Sequence, residues 1–430
     1  MPTRRDLLAA LGAAGLGGCS LPTGGGGSGT PPERSTPPGG RRHWYTHPQA
    51  TGNRSLAGGG NVRDADPVTF SPEGAPRWLV AHPAGEGSHW TVVTEDGRAS
   101  RWHVRGEVAE RVTDPEPRPT EGPPVVATGD GAPRLVDPPG EMAAGTAPMV
   151  APAGDAGGAA KLLYVAGNGD LVVAGAERTR LPVDALRDGR PAALDEGRYV
   201  LFAGPTDRYR HGALGDTTEP ATLVAVDASE PAVDWTASVG PPEVFEGLQP
   251  LVADLDGDGD PEIVTTLADT ADGARIAVFD AGGEHLATGP VYGPGWRHQL
   301  AVGPLGPDGE RELAVVRKPH VDRVLEFYRL RDESLDVVAT VEGVSTHTYG
   351  SRNLDGALAG DLDGDGRTEL LAPTTDRRTL VAIRRTSDGA ETAWRRALDG
   401  PVSSNLAGVA VPDGLAVGVG TGERVTVRQG

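Results

Sequence analysis

The chain has 430 residues and a formal net charge of −20, with 63 glycines, 38 prolines and a single cysteine. Only Lys161 and Lys318 among its 40 basic residues are lysines; so acidic a chain lacks the basic patches that nucleic acid and anionic lipid require. One cysteine excludes a disulfide within the chain and a cysteine-cluster metal site.

The chain begins MPTRRDLLAALGAAGLGGCS. Arg4 and Arg5 precede an apolar stretch from Leu7 to Leu16. That stretch is shorter than the ~20 residues a membrane-spanning helix needs. It reads as the apolar region of a secretory signal behind a basic start. TRRDLL resembles the twin-arginine export signal, and Leu16-Gly17-Gly18-Cys19 resembles a lipobox. These resemblances imply that residues 1–18 are removed and that Cys19 is lipidated. The mature chain would then sit on the outer face of the cytoplasmic membrane. A plain cleaved signal with an incidental cysteine is the competing reading. Residues 19–40, rich in Gly, Ser, Pro and Thr, have nothing to bury and read as a disordered tether. The lysine-poor acidic composition suits a protein kept soluble in high salt, as in a halophilic archaeon, or a GC-rich genome. Composition does not separate the two.

From residue 41 onward no amphipathic helical stripe is visible. Short β-rich runs alternate with Gly, Pro and Asp turns: RWLVAH (77–82), KLLYVAG (161–167), ATLVAVD (221–227), ARIAVFD (274–280), ELAVVRK (312–318) and TLVAIRR (379–385). The runs repeat. ADLDGDGDPEIV (253–264) returns as GDLDGDGRTELL (360–371), so that Asp254 and Asp361 stand 107 residues apart. Midway lies GPLGPDGERELAVV (303–316), which keeps the Asp308-Gly309 pair and Glu312 but has Pro304 and Gly306 for the first two aspartates. The unit is therefore ~50 residues, the length of a four-stranded propeller blade. The rhythm predicts an all-β propeller spanning 41–430, with seven blades. The proline-rich stretch 105–147 fits poorly and leaves six or eight open. The last unit lacks an outer strand, and RRHWYTHP (41–48) resembles the tryptophan-bearing outer strands elsewhere. That segment is expected to pair with the last blade and close the ring.

In the pattern DxDxDGxxE, aspartates at positions 1, 3 and 5 point to one centre. Position 7 offers a carbonyl and position 9 a carboxylate. Hard oxygen ligands in a flexible loop suit Ca²⁺ over the stricter Mg²⁺. An EF-hand is excluded, because its closing acid comes at position 12 and a helix follows. The two acidic segments resemble FG-GAP/VCBS repeats of the integrin-alpha-like propeller. The resemblance implies two structural calcium sites. The first would use Asp254, Asp256, Asp258, the Asp260 carbonyl and Glu262. The second would use Asp361, Asp363, Asp365, the Arg367 carbonyl and Glu369. The 304–312 copy, short of two carboxylates, is expected to bind nothing. The competing reading is a pair of solvated acidic turns whose repulsion is screened by salt, since the Debye length falls to about 3 Å at 1 M.

No nucleophile elbow, zinc-protease motif, phosphate loop or dinucleotide fingerprint is present. Arg54, His298, Arg352 and Asn405 each stand just before or at the start of a predicted innermost strand. Such residues converge around a propeller's axis on the face away from the acidic loops, where they would bind a carboxylate, sugar or peptide acid or else cap backbone groups. Asn53-Arg54-Ser55 is a glycosylation sequon. The sequence thus points to a cell-surface binding, adhesion or scaffold module with a protein or carbohydrate ligand and no nucleic acid. The alternative is an extracellular enzyme on the same scaffold, a polysaccharide lyase or hydrolase or a quinone-dependent dehydrogenase. It would need perturbed carboxylates or a further metal near the axis.

Overall fold

A computed structural model describes residues 42–113, 121–129, 131–151, 160–195 and 197–430. The signal segment, Cys19 and the tether lie outside them. β-branched runs punctuated by turn residues fold as strands of ten residues or fewer, and no helix occurs among the described residues.

The strands form sheets in chain order, lettered A to H here, antiparallel within each except that Ser55–Gly59 runs parallel beside Leu358–Asp361 of sheet G; a single parallel pairing, Thr288 with Ser334, links sheets E and F. Sheet A holds Pro76–Ala84, Gly87–Thr94, Ala99–Arg105 and Val108–Thr113. Sheet B pairs Val126–Gly129 with Gly131–Leu135. Sheet C runs Met149–Ala151, Lys161–Val165, Leu171–Ala174, Arg178–Leu181, and sheet D runs Ala192–Ala193, Arg198–Thr206, Glu219–Asp227, Ala232–Ser238. Sheet E holds Val244–Ala253, Glu262–Ala268, Ala274–Phe279 and His285–Thr288. Sheet F follows with Arg297–Gly303, Glu312–Arg317, Val324–Arg331 and Ser334–Glu342. Sheet G is Leu358–Asp361, Glu369–Pro373, Thr379–Thr386 and Gly389–Ala397, and sheet H is Val402–Val411, Gly414–Thr421 and Arg424–Gln429. This all-β arrangement of several four-stranded sheets is consistent with a β-propeller.

Sheet H has only three strands of its own, and Pro67–Phe70 supplies the fourth, with Val68 opposite Val427. The expected segment, 41–48, does not take this place. Arg42–Trp44 instead pairs with Val126–Gly129 and gives the two-stranded sheet B a third strand. The reason is local supply. Residues 67–70 lie directly before sheet A, so they reach sheet H without a detour, whereas sheet B, built from the proline-rich 105–147 stretch, is the sheet short of strands.

Between the two pairings, residues 46–55 run past the innermost strands and satisfy their free backbone groups. Ala50, Thr51 and Arg54 accept from the amides of Ala193, Val252 and Ala359 of sheets D, E and G at 2.9–3.0 Å. Asn53 exchanges two hydrogen bonds with the backbone of Val302 in sheet F. Gly52 adopts φ +80°, and a Cβ there would lie 3.1 Å from the Pro250 carbonyl. A side chain would push this segment off the sheets.

Cores form between neighbouring sheets. Leu201, Tyr199 and Val224 of sheet D pack on Leu163 and Leu171 of sheet C. Leu370 and Ile383 of sheet G pack on Leu325 and Phe327 of sheet F. Trp90 and Leu79 of sheet A pack on Ala407, Val409 and Val425 of sheet H. Trp90 is fully buried, and its indole N–H donates to Ser88 Oγ at 2.8 Å. Its ring presses on Gly418, where a Cβ would stand only 2.4 Å from the indole. Gly418→Ala is therefore expected to overpack this junction and lower stability by ~1–3 kcal/mol. A fall in the urea midpoint at unchanged slope would register it; an unchanged midpoint would mean the junction is loose.

Candidate functional site

Both acidic loops join the innermost strand of a sheet to the second. In sheet E the loop leads from Ala253 to Glu262, and in sheet G from Asp361 to Glu369. Each is wound by aspartates accepting from amides two or three residues on. Gly257 donates to Asp254 Oδ1 at 2.7 Å, Asp258 to Asp256 Oδ1 at 3.0 Å and Asp260 to Asp258 Oδ1 at 2.8 Å. Gly364 donates to Asp361 Oδ1 at 2.8 Å and Arg367 to Asp365 Oδ1 at 2.9 Å. Gly257 and Gly364 take φ +89° and +76°, which suit glycine.

This winding brings oxygens of Asp254, Asp256 and Glu262 within 4.8 Å of one another, and likewise those of Asp361, Asp363 and Asp365. Each triad could hold a metal ion, and an all-oxygen set favours a hard cation. Asp258, Asp260, Arg367 and Glu369 stand outside the triads. Asp258 is exposed with Oδ1 given to the Asp260 amide. Glu369 is fully buried; its Oε2 accepts from the Leu362 amide at 2.9 Å, while its Oε1 has no partner. Asp363 Oδ1 is likewise buried and unpartnered. Burial, reinforced by the neighbouring aspartates, pushes Glu262 and Glu369 up to about 7. Buried carboxylate oxygens without donors are costly unless a cation joins them. The residues present fit the ion that the repeat pattern implies. One arginine reaches the first triad, Arg311 at 3.2 Å from Asp254, and Arg63 and Arg384 reach Asp363 and Asp365 in the second.

The third copy is an internal control. Glu312 opens its strand as Glu262 and Glu369 open theirs, and it is fully buried. Here guanidinium groups meet the carboxylate. Arg385 of sheet G donates from Nε at 2.8 Å, and Arg329 pairs with the other oxygen. The loop that lost its aspartates gained a fixed cation.

The four residues expected to line an axial ligand face are placed differently. Arg54 is buried, in an ion pair of 2.8 Å with Asp355, and donates to the carbonyls of Gln299 and Leu300. Asn405 is fully buried and clamps the Leu79 backbone from both sides while donating to the Thr46 carbonyl at 3.1 Å. His298 is buried against Trp296 with ring centres 4.6 Å apart. Arg54 and His298 border only a void of about 20 Å³. Arg352 alone lines a cavity, of about 1250 Å³, where Asp188 and Asp216 already hold it. So Arg54 and Asn405 serve the backbone, and the open face belongs to other residues. The cavity lies at the strand ends away from the acidic loops: Glu369–Pro373 starts at an acidic loop and finishes in the cavity wall.

No protein-family model matches the chain, and no curated protein sequence does. The chain is similar to a solved crystal structure of BBS1N in complex with ARL6DN, soaked with lead. The TM-score is 0.43 and the identity 10%, over 84% of this chain and 96% of that one. The fold assignment rests on the chain's own sheets.

Several buried groups escaped sequence reasoning. Burial alone would raise the Asp355 carboxyl, but Arg54, with His47 and Arg190 nearby, holds it well below the usual range. Thr46 Oγ1 also donates to it at 2.5 Å. Glu246 is buried and paired with His211. Burial and the charge of Glu246 push the nearby Glu219 well above the usual carboxyl range. These residues come from distant segments, and only the local string NLDG around Asp355 carried any signal.

Two outcomes follow from these charges. Arg385→Met strips one cation from buried Glu312 and is expected to cost ~3 kcal/mol in urea denaturation. Adding Glu312→Leu should restore much of the loss, because both charges leave together; a double variant as weak as the single one would refute the clamp. The second outcome is acid sensitivity. Burial lowers His47 and His82 to about 4 and His347 to about 3. Unfolded histidines bind protons near 6.5, so between about 6.5 and 4 the unfolded state takes up more protons than the folded one. The contribution of these three histidines to stability is therefore expected to fall as pH drops through that window, opposed by Glu262 and Glu369, whose raised carboxyls take up protons in the folded state first. His47→Gln should flatten the decline, and a curve of unchanged slope would show that His47 does not contribute.

Proposed function

We propose that the chain is a calcium-stapled β-propeller of the FG-GAP/VCBS kind that acts as a binding or scaffold module. On this reading it is exported and held outside the cytoplasmic membrane by a lipid on Cys19. Sheets A to H are its blades, eight with the three-stranded sheet B, one more than the rhythm of the sequence predicts. Pro67–Phe70, paired with the C-terminal strand, is the closing strand. The observation that carries the reading is the contrast among three equivalent glutamates. Glu312 has guanidinium partners. Glu262 and Glu369 accept only the amides of Leu255 and Leu362, among clustered aspartates. A divalent ion at each triad supplies the missing positive charge. The ions are structural, tying the innermost strand of a blade to the second, and the ligand is expected at the cavity on the other strand ends.

The test is thermal and urea unfolding of the full chain at fixed high ionic strength, with about 10 mM Ca²⁺, Mg²⁺ or neither. Extracellular calcium sites with dissociation constants near 10⁻⁴–10⁻³ M would add ~1–3 kcal/mol each at that concentration by mass action. Asp256→Ala and Asp363→Ala should each remove roughly half of the calcium-dependent gain, and Mg²⁺ should give little. Equal stability with and without calcium would leave the loops as acidic turns and remove the support for the repeat family.

A further inference from the structure

The 1250 Å³ cavity combines size with an uneven charge distribution. One sector of its wall comes from sheets A, G and H. There Arg77 and Arg377 line the cavity with no carboxylate partner among the described residues: Arg77 lies 5.8 Å from the Trp78 ring, and Arg377 donates to the Val402 carbonyl. Glu95 is the one acid of that sector. Asn353, Ser403 and His347 also belong to this wall; their Oδ1, Oγ and Nε2 atoms have no partner but are buried and do not open onto the cavity. Asn353 is fixed there because its Nδ2 donates to the Arg77 carbonyl at 2.9 Å.

The other sector comes from the segments before sheets B and D and from the turn inside sheet D. It carries Glu121, Asp184, Asp188 and Asp216 against Arg187 and Arg352. Arg352 is spent on Asp188 and Asp216, which leaves Arg187 as the one arginine of this sector against Asp184 and Glu121, and it forms no ion pair with either among the described residues. The first sector sets two arginines against one acid and the second four acids against two arginines, so the wall is net positive on one side and net negative on the other.

A ligand matching this wall carries an anion at one end and a cation at the other. The anion is a carboxylate, because a planar carboxylate accepts paired bonds from guanidinium groups, while a phosphate dianion would suffer more from the acidic sector. The cation is an ammonium, because the acidic sector offers acceptors alone. Among the described residues the lining holds no Trp, Tyr or Phe on which a sugar ring would stack. Leu186, Val402 and Pro373 leave patches for small apolar side chains. We propose that this cavity takes a short peptide as a zwitterion, its carboxylate against Arg77 and Arg377 and its ammonium against Asp184 and Glu121. The proposal rests on the reading of the chain as a binding module and is independent of the calcium loops.

Titration calorimetry and NMR of the full chain test it with trialanine, trialanine amide, N-acetyl-trialanine and trigalacturonate. Trialanine is expected to bind saturably, and amidation or acetylation should each weaken it tenfold or more. Arg77→Gln with Arg377→Gln should weaken trialanine at least tenfold while leaving the amide nearly unchanged. Asp184→Asn, a change in an exposed loop that should fold regardless, should weaken trialanine but leave the acetylated peptide nearly unchanged. Absent trialanine binding, equal binding of all three peptides, or preference for trigalacturonate would overturn the proposal. Calcium-dependent melting measured on the same samples reports the metal reading separately, so either idea can fail while the other stands.

Discussion

The interaction on which the arrangement depends is the buried Arg54–Asp355 pair. Sheets that converge on one axis leave the edge of every innermost strand with unpaired amides and carbonyls, and a buried unpaired backbone group costs about as much as a lost hydrogen bond. Residues 46–55 answer that need. Arg54 is the pivot: its backbone carbonyl accepts from Ala359 in sheet G, its guanidinium donates to two carbonyls of sheet F, and Asp355 neutralises it. Asp355 in turn receives Thr46 and passes its own carbonyl to the Leu406 amide of sheet H. A buried ion pair is poor evidence for stability by itself. Here it acts as a junction whose partners reach sheets F, G and H.

Three loops at one kind of position show two solutions to one electrostatic problem. A glutamate at the first residue of a second strand is buried by the neighbouring sheet. It then needs positive charge. Sheet F takes it from Arg329 and Arg385, side chains fixed by folding, and its loop could drop Pro304 and Gly306 into places held elsewhere by aspartate. Sheets E and G keep the aspartates and so keep a place for a cation from solvent. The arginine solution is always present; the aspartate solution leaves two acidic triads that could hold a metal ion.

What could be read in the sequence was what is local. A metal loop lies within nine residues, so the Asp and Gly alternation from Asp254 to Glu262 displayed its geometry directly, and strands showed through their β-branched runs. Asp254, Asp256 and Glu262 in one loop and Asp361, Asp363 and Asp365 in the other lie close enough together to hold a metal ion, while Asp258, Asp260, Arg367 and Glu369 stand outside those triads. Pairing between distant segments was not legible. Trp44 marked 41–48 as an outer strand of some sheet, and the pattern held no information on which; PVTF at 67–70 is too short to stand out. Arg54 and Asn405 were noticed for their place before innermost strands, yet a sequence does not distinguish an arginine facing a ligand from one facing carbonyls. That difference lies in Asp355, 301 residues away from Arg54.

The same distinction governs the cavity. Arg54, Arg190 and Arg352 are paired with carboxylates, whereas Arg77 and Arg377 line a cavity of about 1250 Å³ with no carboxylate partner among the described residues. Folding alone supplies no reason to hold cations and anions apart across open space, since stability would be served by bringing them together. The separation is better explained by a third party that bridges them, and the strand geometry places that bridge where changes in the acidic loops, at the far ends of the same strands, alter the wall only through the rigidity of the sheets.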